Sequence, residues 1–174
     1  MEARDLRRPR SKRMVIDPFS IYIHIPFCSK KCPYCHFFVT SSKSKDEPRF
    51  IEALLKEWKH RFKSKKEDVI TLYFGGGTPT ELSLEGLSYL IRTFKSEYPN
   101  LREVTVEANP ESVTKEKIEA LKTAGCNRIS LGVQSLDNGE LITLKRQHHE
   151  NKAVEAIHTI KAAGIDNISI DLML

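Results

Sequence analysis

Apolar residues along this chain recur with two different periods. In Ser20-Ile-Tyr-Ile-His-Ile25 isoleucine returns at every second position, the repeat of a strand with one buried face. Ile51, Leu54, Leu55, Trp58 and Phe62 instead return at helical spacing, so they share one side of a helix. That helix starts behind the polar lead-in Lys43 to Asp46, with Pro48 in its first turn. The alternation then continues. Val69 to Phe74 reads as a second strand. Ser83 caps a helix whose inner face holds Leu84, Leu87, Leu90, Ile91 and Phe94. Val104 and Val106 mark a third strand that ends near Glu107. Thr114 caps the next helix, which turns Ile118 and Leu121 inward and stops at Gly125. Ile129 to Val133 is a fourth strand, and Asp137-Asn-Gly-Glu140 has capping-box spacing. A helix over 150–163 ends at Gly164, and a fifth strand runs from Ile165 to about Met173.

Strand–helix repetition of this kind makes a parallel sheet with right-handed crossovers. Lys122-Thr-Ala-Gly-Cys-Asn-Arg-Ile-Ser-Leu131 reappears in loose form 39 residues later as Lys161-Ala-Ala-Gly-Ile-Asp-Asn-Ile-Ser-Ile170, one helix plus one strand further on. The fold class is α/β. A barrel-like wheel and a doubly wound sheet both fit. In either, functional residues gather where strands end and helices begin. The chain stops inside or just after an apolar strand, at Asp171-Leu-Met-Leu174. An uncovered apolar edge of that kind is an aggregation liability, so the chain reads as the front part of a longer protein.

The length of 174 residues suits one domain, and 40% hydrophobic with 29% charged residues is the composition of a soluble one. No apolar run reaches the length of a membrane span, and the N-terminus lacks a secretory h-region. Of the net charge of +5, residues 1–13 supply four, with six Lys and Arg against Glu2 and Asp5. Residues 1–19 therefore read as a basic, disordered tail ahead of a domain over 20–174, and the body carries no nucleic-acid-binding charge. Three of the four cysteines cluster as Cys28-Ser-Lys-Lys-Cys32-Pro-Tyr-Cys35. In a cytoplasmic protein such a cluster binds metal rather than forming disulfides.

The candidate chemistry collects at strand ends. The cysteines follow the first strand, Gly75-Gly-Gly-Thr78 the second, Glu107 ends the third, Gln134 the fourth, and Asp171 lies in the fifth. Three thiolates hold an iron–sulfur cluster with one iron open. Structural zinc needs a fourth ligand, for which His24 or His36 is the candidate. The glycines offer backbone amides to a ligand at close approach. No Lys stands where a nucleotide-binding P-loop needs one. Asp171, in an apolar strand, calls for a partner or ligand. From its neighbours alone Arg146 reads as a surface charge, and Cys126 as a small core residue.

At Cys28-x-x-x-Cys32-x-x-Cys35 the chain resembles the radical S-adenosylmethionine superfamily. Six segments appear in order: Tyr-Ile-His-Ile-Pro-Phe-Cys, Cys-Pro-Tyr-Cys, Gly-Gly-Gly-Thr-Pro-Thr, Glu-Ala-Asn-Pro, Ser-Leu-Gly-Val-Gln-Ser and Asp-Leu-Met. Together they resemble the oxygen-independent coproporphyrinogen III oxidase group, from about Ser20 to the end. The resemblance implies an incomplete (β/α) partial barrel, cut after about five strands. It implies a [4Fe-4S] cluster on Cys28, Cys32 and Cys35, whose fourth iron binds S-adenosylmethionine. Gly76, Gly77 and Thr78 match contacts to the methionine part of that cofactor. Tyr22, Tyr34, Glu107, Gln134, Arg146 and Asp171 match other positions around it. An electron donor such as a flavodoxin or ferredoxin is implied as well, because an electron from the cluster splits the sulfonium and releases a 5′-deoxyadenosyl radical.

Two departures point within the group. Phe37 stands where the coproporphyrinogen-oxidising members carry a fourth cysteine, and the lead ahead of Tyr22 is short. Both favour the HemW-like haem-chaperone subgroup, whose partners are haem and a haem-acceptor protein. The alternatives are oxidative decarboxylation of coproporphyrinogen III to protoporphyrinogen IX, and an inactive fragment. His36 replaces the Asp more usual in that subgroup, and Lys145 stands where Gly often precedes the arginine. The haem-associated motif of the subgroup lies beyond these residues, so no haem ligand is assigned.

Overall fold

In a computed structural model of the protein, residues 18–41, 46–62 and 69–173 are described. Five strands form one parallel sheet: β1 (Phe19–Ile25), β4 (Val69–Gly76), β5 (Glu103–Ala108), β6 (Arg128–Gln134) and β7 (Asn167–Leu172). Between them lie α1 (Glu47–Arg61), α2 (Leu84–Glu97), α3 (Lys115–Ala124), α4 (Asn138–Thr143) and α5 (Glu150–Ala162). The sheet runs β1-β4-β5-β6-β7, strictly in chain order. A doubly wound sheet reverses direction at a switch point. This one never does, so the open question resolves to the wheel, an arc of a barrel.

The alternation along each strand explains why the arc has an inside. Ile23, Ile25, Leu72, Phe74, Val104, Val106, Ile129 and Leu131 are all buried in one cluster with Leu87, Leu90, Ile91 and Phe94 of α2, Ile118 and Leu121 of α3 and Ile160 of α5. Burying each such side chain stabilises the fold by about 1.5–3 kcal/mol. The positions between them are polar and share the other face. Arg128 donates to Glu103 at 3.3 Å and to Ser169 at 3.2 Å. The Ser169 hydroxyl donates to Ser130 at 2.9 Å, and Ser130 to Asp171 at 3.3 Å. The inner wall is thus held by hydrogen bonds, and the core lies outside it, under the helices.

The helix ends follow the sequence signals in most cases. Ser83 accepts from the Gly86 amide and Thr114 from that of Lys117, while Gly125 closes α3 with φ 116°. Asp137 caps α4, but the box is half-made, because the Glu140 carboxylate turns to the Ser135 hydroxyl instead. Of the polar lead-in to α1, residues 43–45 lie outside the described residues, and Asp46 makes no side-chain cap bond. Its neighbour Glu47 reaches across to Ser83, accepting from that residue's amide at 2.9 Å. The basic tail lies outside the described residues except for Pro18 and Phe19, and β1 already begins at Phe19. Among the described residues no helix is long and apolar enough to cross a membrane.

Candidate functional site

At the C-terminal ends of the strands a cleft of about 510 Å³ opens onto the inner wall. Every residue that the resemblance assigns to the cluster or the cofactor lines it, with one exception. Tyr22 lies outside. Its side chain is exposed, its ring stacks on Tyr73 at 5.9 Å, and its hydroxyl meets His24 Nδ1 at 3.2 Å.

The cysteine loop is fastened at its base in a way the sequence did not signal. Two short strands, β2 (Phe27–Cys28) and β3 (Thr40–Ser41), pair in parallel across it. The Thr40 amide donates to Pro26 O at 2.8 Å, and His24 Nε2 meets Phe38 O at 2.9 Å. His24 therefore pins the loop with both ring nitrogens occupied. Within the loop the Cys35 amide donates to Cys32 O at 3.1 Å. All three thiols are free and half-buried. Among the described residues no three Cys, His, Asp or Glu side chains are arranged around a single ion. A cluster takes one thiolate per iron, and all three cysteines line the wall of one cleft.

Beside the cysteines, the glycine turn is packed rather than open. A Cβ on Gly75 would lie 2.8 Å from Glu107 Oε1, one on Gly76 2.5 Å from the His24 ring, and one on Gly77 2.4 Å from Phe27 O. Nor are the amides free, contrary to the sequence reading. Those of Gly77 and Thr78 donate to Ile25 O and Phe27 O at 2.8 and 2.7 Å, and that of Gly76 to Glu107 Oε2 at 2.9 Å. Glu107 Oε1 accepts from Tyr73 at 2.8 Å. Burial and this carboxylate push the Tyr73 phenol up to about 12, which keeps it a neutral donor. Two of the four lone-pair positions of Glu107 are thereby used, and the other two remain for a ligand.

Arg146 is the residue whose local reading fails most clearly. It is half-buried and donates through Nη2 to Asn109 Oδ1 at 2.8 Å and to Gly132 O at 2.7 Å. Nη1 makes only long contacts, 3.7 Å to Cys32 Sγ and 3.5 Å to Tyr34 OH, and Nε is buried without a partner. Burial opposes its charge, but Glu111, Tyr34 and Cys32 outweigh burial and hold the guanidinium protonated. Lys145, just before it, sits at φ 54°, left-handed backbone that explains why glycine suits the position. Tyr34 is raised by burial and its bond to Cys32, against the pull of Arg146. Arg146→Ala leaves two acceptors unpaired and is expected to cost about 2–4 kcal/mol in a urea melt. The surface-charge reading predicts no change.

The remaining expected residues differ in how they are held. Gln134 sits at φ 71° where the β6–β7 register slips, and its carbonyl accepts from the Met173 amide at 2.9 Å. Asp171, expected to need a partner, accepts from the Ser130 hydroxyl at 3.3 Å and lines the cleft from the edge strand β7. Cys126 is buried, as expected, with its thiol pushed up to about 12 by burial.

Two further residues gain defined roles in the structure. Asn109 joins the halves of the cleft, donating to Thr78 Oγ1 at 3.0 Å while accepting from Arg146. Its presence in Glu-Ala-Asn-Pro was the available signal. His148 is buried, with Nδ1 at 3.2 Å from Glu111 and Nε2 at 3.1 Å from Val133 O, so it is an anchor and not a ligand. Burial pushes Glu111 up, but His148, a backbone bond and Arg146 outweigh it, and the carboxyl lies below its ordinary 4.5. A carboxyl lowered on folding stabilises the fold above its unfolded value and loses that contribution as pH falls through the folded one. Glu111→Gln is therefore expected to flatten the loss of stability below about pH 4.5, read from urea midpoints between pH 3 and 6.

Known proteins match the chain over most of its length. The model of the radical SAM superfamily matches residues 22–174. The chain belongs to the radical SAM superfamily. Members of this superfamily characteristically carry a [4Fe-4S] cluster and use S-adenosylmethionine. The chain is 36% identical over 166 residues to the haem chaperone HemW of Haemophilus influenzae, covering 91% of this chain and 43% of that one. Against HemW of Bacillus subtilis the identity is 38%, with 88% and 42% covered. The oxygen-independent coproporphyrinogen-III oxidase-like protein HemZ of Bacillus subtilis is 36% identical, with 92% and 34% covered. Coproporphyrinogen III oxidase HemN of Escherichia coli, a radical SAM enzyme, superimposes with a TM-score of 0.80 at 28% identity, over 89% of this chain and 37% of that one. The α/β partial barrel is thus the radical SAM fold, and the chain spans about two fifths of the length of these HemW relatives.

Proposed function

We propose that this radical SAM chain holds a [4Fe-4S] cluster on Cys28, Cys32 and Cys35, binds S-adenosylmethionine in the same cleft, and serves a HemW-like haem chaperone that passes haem to acceptor proteins. The observation that carries the reading is the single cleft into which three thiols, a half-satisfied Glu107 and the loosely engaged Nη1 of Arg146 all open. The cleft lining sets Glu107, Glu111 and Asp171 against Arg146, Lys30 and Lys31, and the thiolates that ligate the proposed cluster tip that balance toward a cationic sulfonium. Glu107 has acceptor positions left for an ammonium, and Nη1 can turn from its long contacts toward a carboxylate. Thr78, buried and fixed between Cys28 Sγ at 3.6 Å and Asn109 at 3.0 Å, sets the spacing between loop and wall. When bound, the cluster supplies the electron that splits the sulfonium.

Titration calorimetry with S-adenosylmethionine tests the site. The account expects micromolar binding by the iron-reconstituted chain and none by the cluster-free chain. Equal heats from both would sink it. The chaperone role is separated from porphyrinogen oxidation by product. A haem carrier gives no vinyl-bearing porphyrin from coproporphyrinogen III, and formation of one would replace the chaperone with the enzyme.

A further inference from the structure

We propose that His148 is a positioning residue for the cofactor cleft: by engaging the Val133 carbonyl it sets the left-handed turn that aims Gln134 at the ligand. The inference rests on the cofactor reading above and deepens it, since His148 itself does not line the cleft.

The end of β6 departs from regular pairing in a definite way. Its register with β7 passes from Gly132–Asp171 to Gln134–Leu172, so Val133 is an extra residue with no partner opposite. An extra residue of this kind is a bulge, which re-aims the side chain beside it. Gln134 follows at φ 71°, left-handed backbone that a side chain adopts only where its surroundings hold it. One other residue besides glycine has such backbone among the described residues. It is Lys145, which opens the segment carrying Arg146 and His148. The Gln134 carboxamide lines the cleft and makes no hydrogen bond among the described residues, so its donor and its acceptor are both open to a ligand.

What holds this turn comes from the connection between α4 and α5. Arg146 Nη2 donates to the Gly132 carbonyl at 2.7 Å, and His148 Nε2 lies 3.1 Å from the Val133 carbonyl. The His148 side chain is wholly buried. Its Nδ1, 3.2 Å from Glu111 in the turn after β5, fixes the ring from the other side. The Val133 carbonyl thus bonds to a side chain, and the chain regains β7 one residue later, where the Gln134 carbonyl accepts from the Met173 amide at 2.9 Å. Without His148 a buried carbonyl loses its partner, which is costly. The nearest way to satisfy it is regular pairing with β7, which takes Gln134 out of its left-handed turn and displaces the carboxamide.

Two substitutions separate positioning from plain support. His148→Gln keeps an N–H donor near the Nε2 position and can hold the Val133 carbonyl. His148→Asn keeps one near Nδ1 and can hold only Glu111. Each gives up one of two hydrogen bonds, so their urea midpoints are expected to fall alike. The first measurement is amide exchange of the purified 174-residue chain by nuclear magnetic resonance, which requires neither cluster nor cofactor. Met173 is expected to exchange about tenfold faster in His148→Asn than in His148→Gln, while Leu131 is affected alike in both. The second is calorimetric titration of the reconstituted chain with S-adenosylmethionine. His148→Asn is expected to weaken binding about tenfold, and His148→Gln less than about twofold. In a Gln134→Ala background His148→Asn is expected to cost nothing further, because the residue it positions is already gone. Equal losses from the two variants, or losses that add to that of Gln134→Ala, overturn the proposal. So does a Met173 amide that responds alike to both. A parent chain that assembles no cluster or binds no cofactor fails the reading above, and the Met173 rates then decide the positioning role by themselves.

Discussion

Replacing Cys32 by Ala is expected to reduce iron and acid-labile sulfide in the anaerobically reconstituted chain to background. The fold should barely change. The thiol sits half-buried on a loop, its contact to Arg146 is a long one of 3.7 Å, and substitutions at such sites cost about 0.5 kcal/mol or less. That separation matters, because loss of metal through unfolding would say nothing about ligation. Cys126→Ala gives the contrast. Its thiol is buried, protonated and bonded to Arg128 O at 3.3 Å, so the variant loses stability and keeps the cluster. Full iron and sulfide in the Cys32 variant, alongside a matching urea midpoint, would remove the proposed site.

The second large effect belongs to Gly77→Ala. The added Cβ falls 2.4 Å from Phe27 O and 2.9 Å from its carbonyl carbon. These are backbone atoms that no rotamer change relieves. The same stretch receives the Gly77 and Thr78 amides, so relief must come from moving the start of β2 and with it Cys28. The expected cost is about 3 kcal/mol, read as a lower urea midpoint, together with a reconstituted cluster that loses iron faster. A variant as stable as the parent would show that the turn is not the tight support described above.

Much of this was legible in local sequence because local physics sets it. Period two gave the strands and period 3.6 the helices. Ser83, Thr114 and Gly125 announced helix ends because a cap involves residues only three or four apart. The direction of winding was not legible, since nothing inside a βα unit records which side of the sheet the next one joins. Arg146 was misread from its neighbours for a related reason. Its partners Cys32, Tyr34 and Asn109 lie 114, 112 and 37 residues away, and only the resemblance placed it in the site. The glycine turn was half-legible. Three glycines signal a close approach, but not that the approaching groups are His24, Phe27 and Glu107 of the same chain, which leaves Gly76, Gly77 and Thr78 with no amide to offer.

The central claim is that three thiols in this cleft hold a cluster with one iron open to S-adenosylmethionine. The direct measurement is the electron paramagnetic resonance spectrum of the reconstituted, reduced chain, recorded without and with that cofactor. The account predicts a reduced [4Fe-4S] signal whose g-values shift when the cofactor is added. A signal that stays the same, or no cluster signal at all, would contradict it.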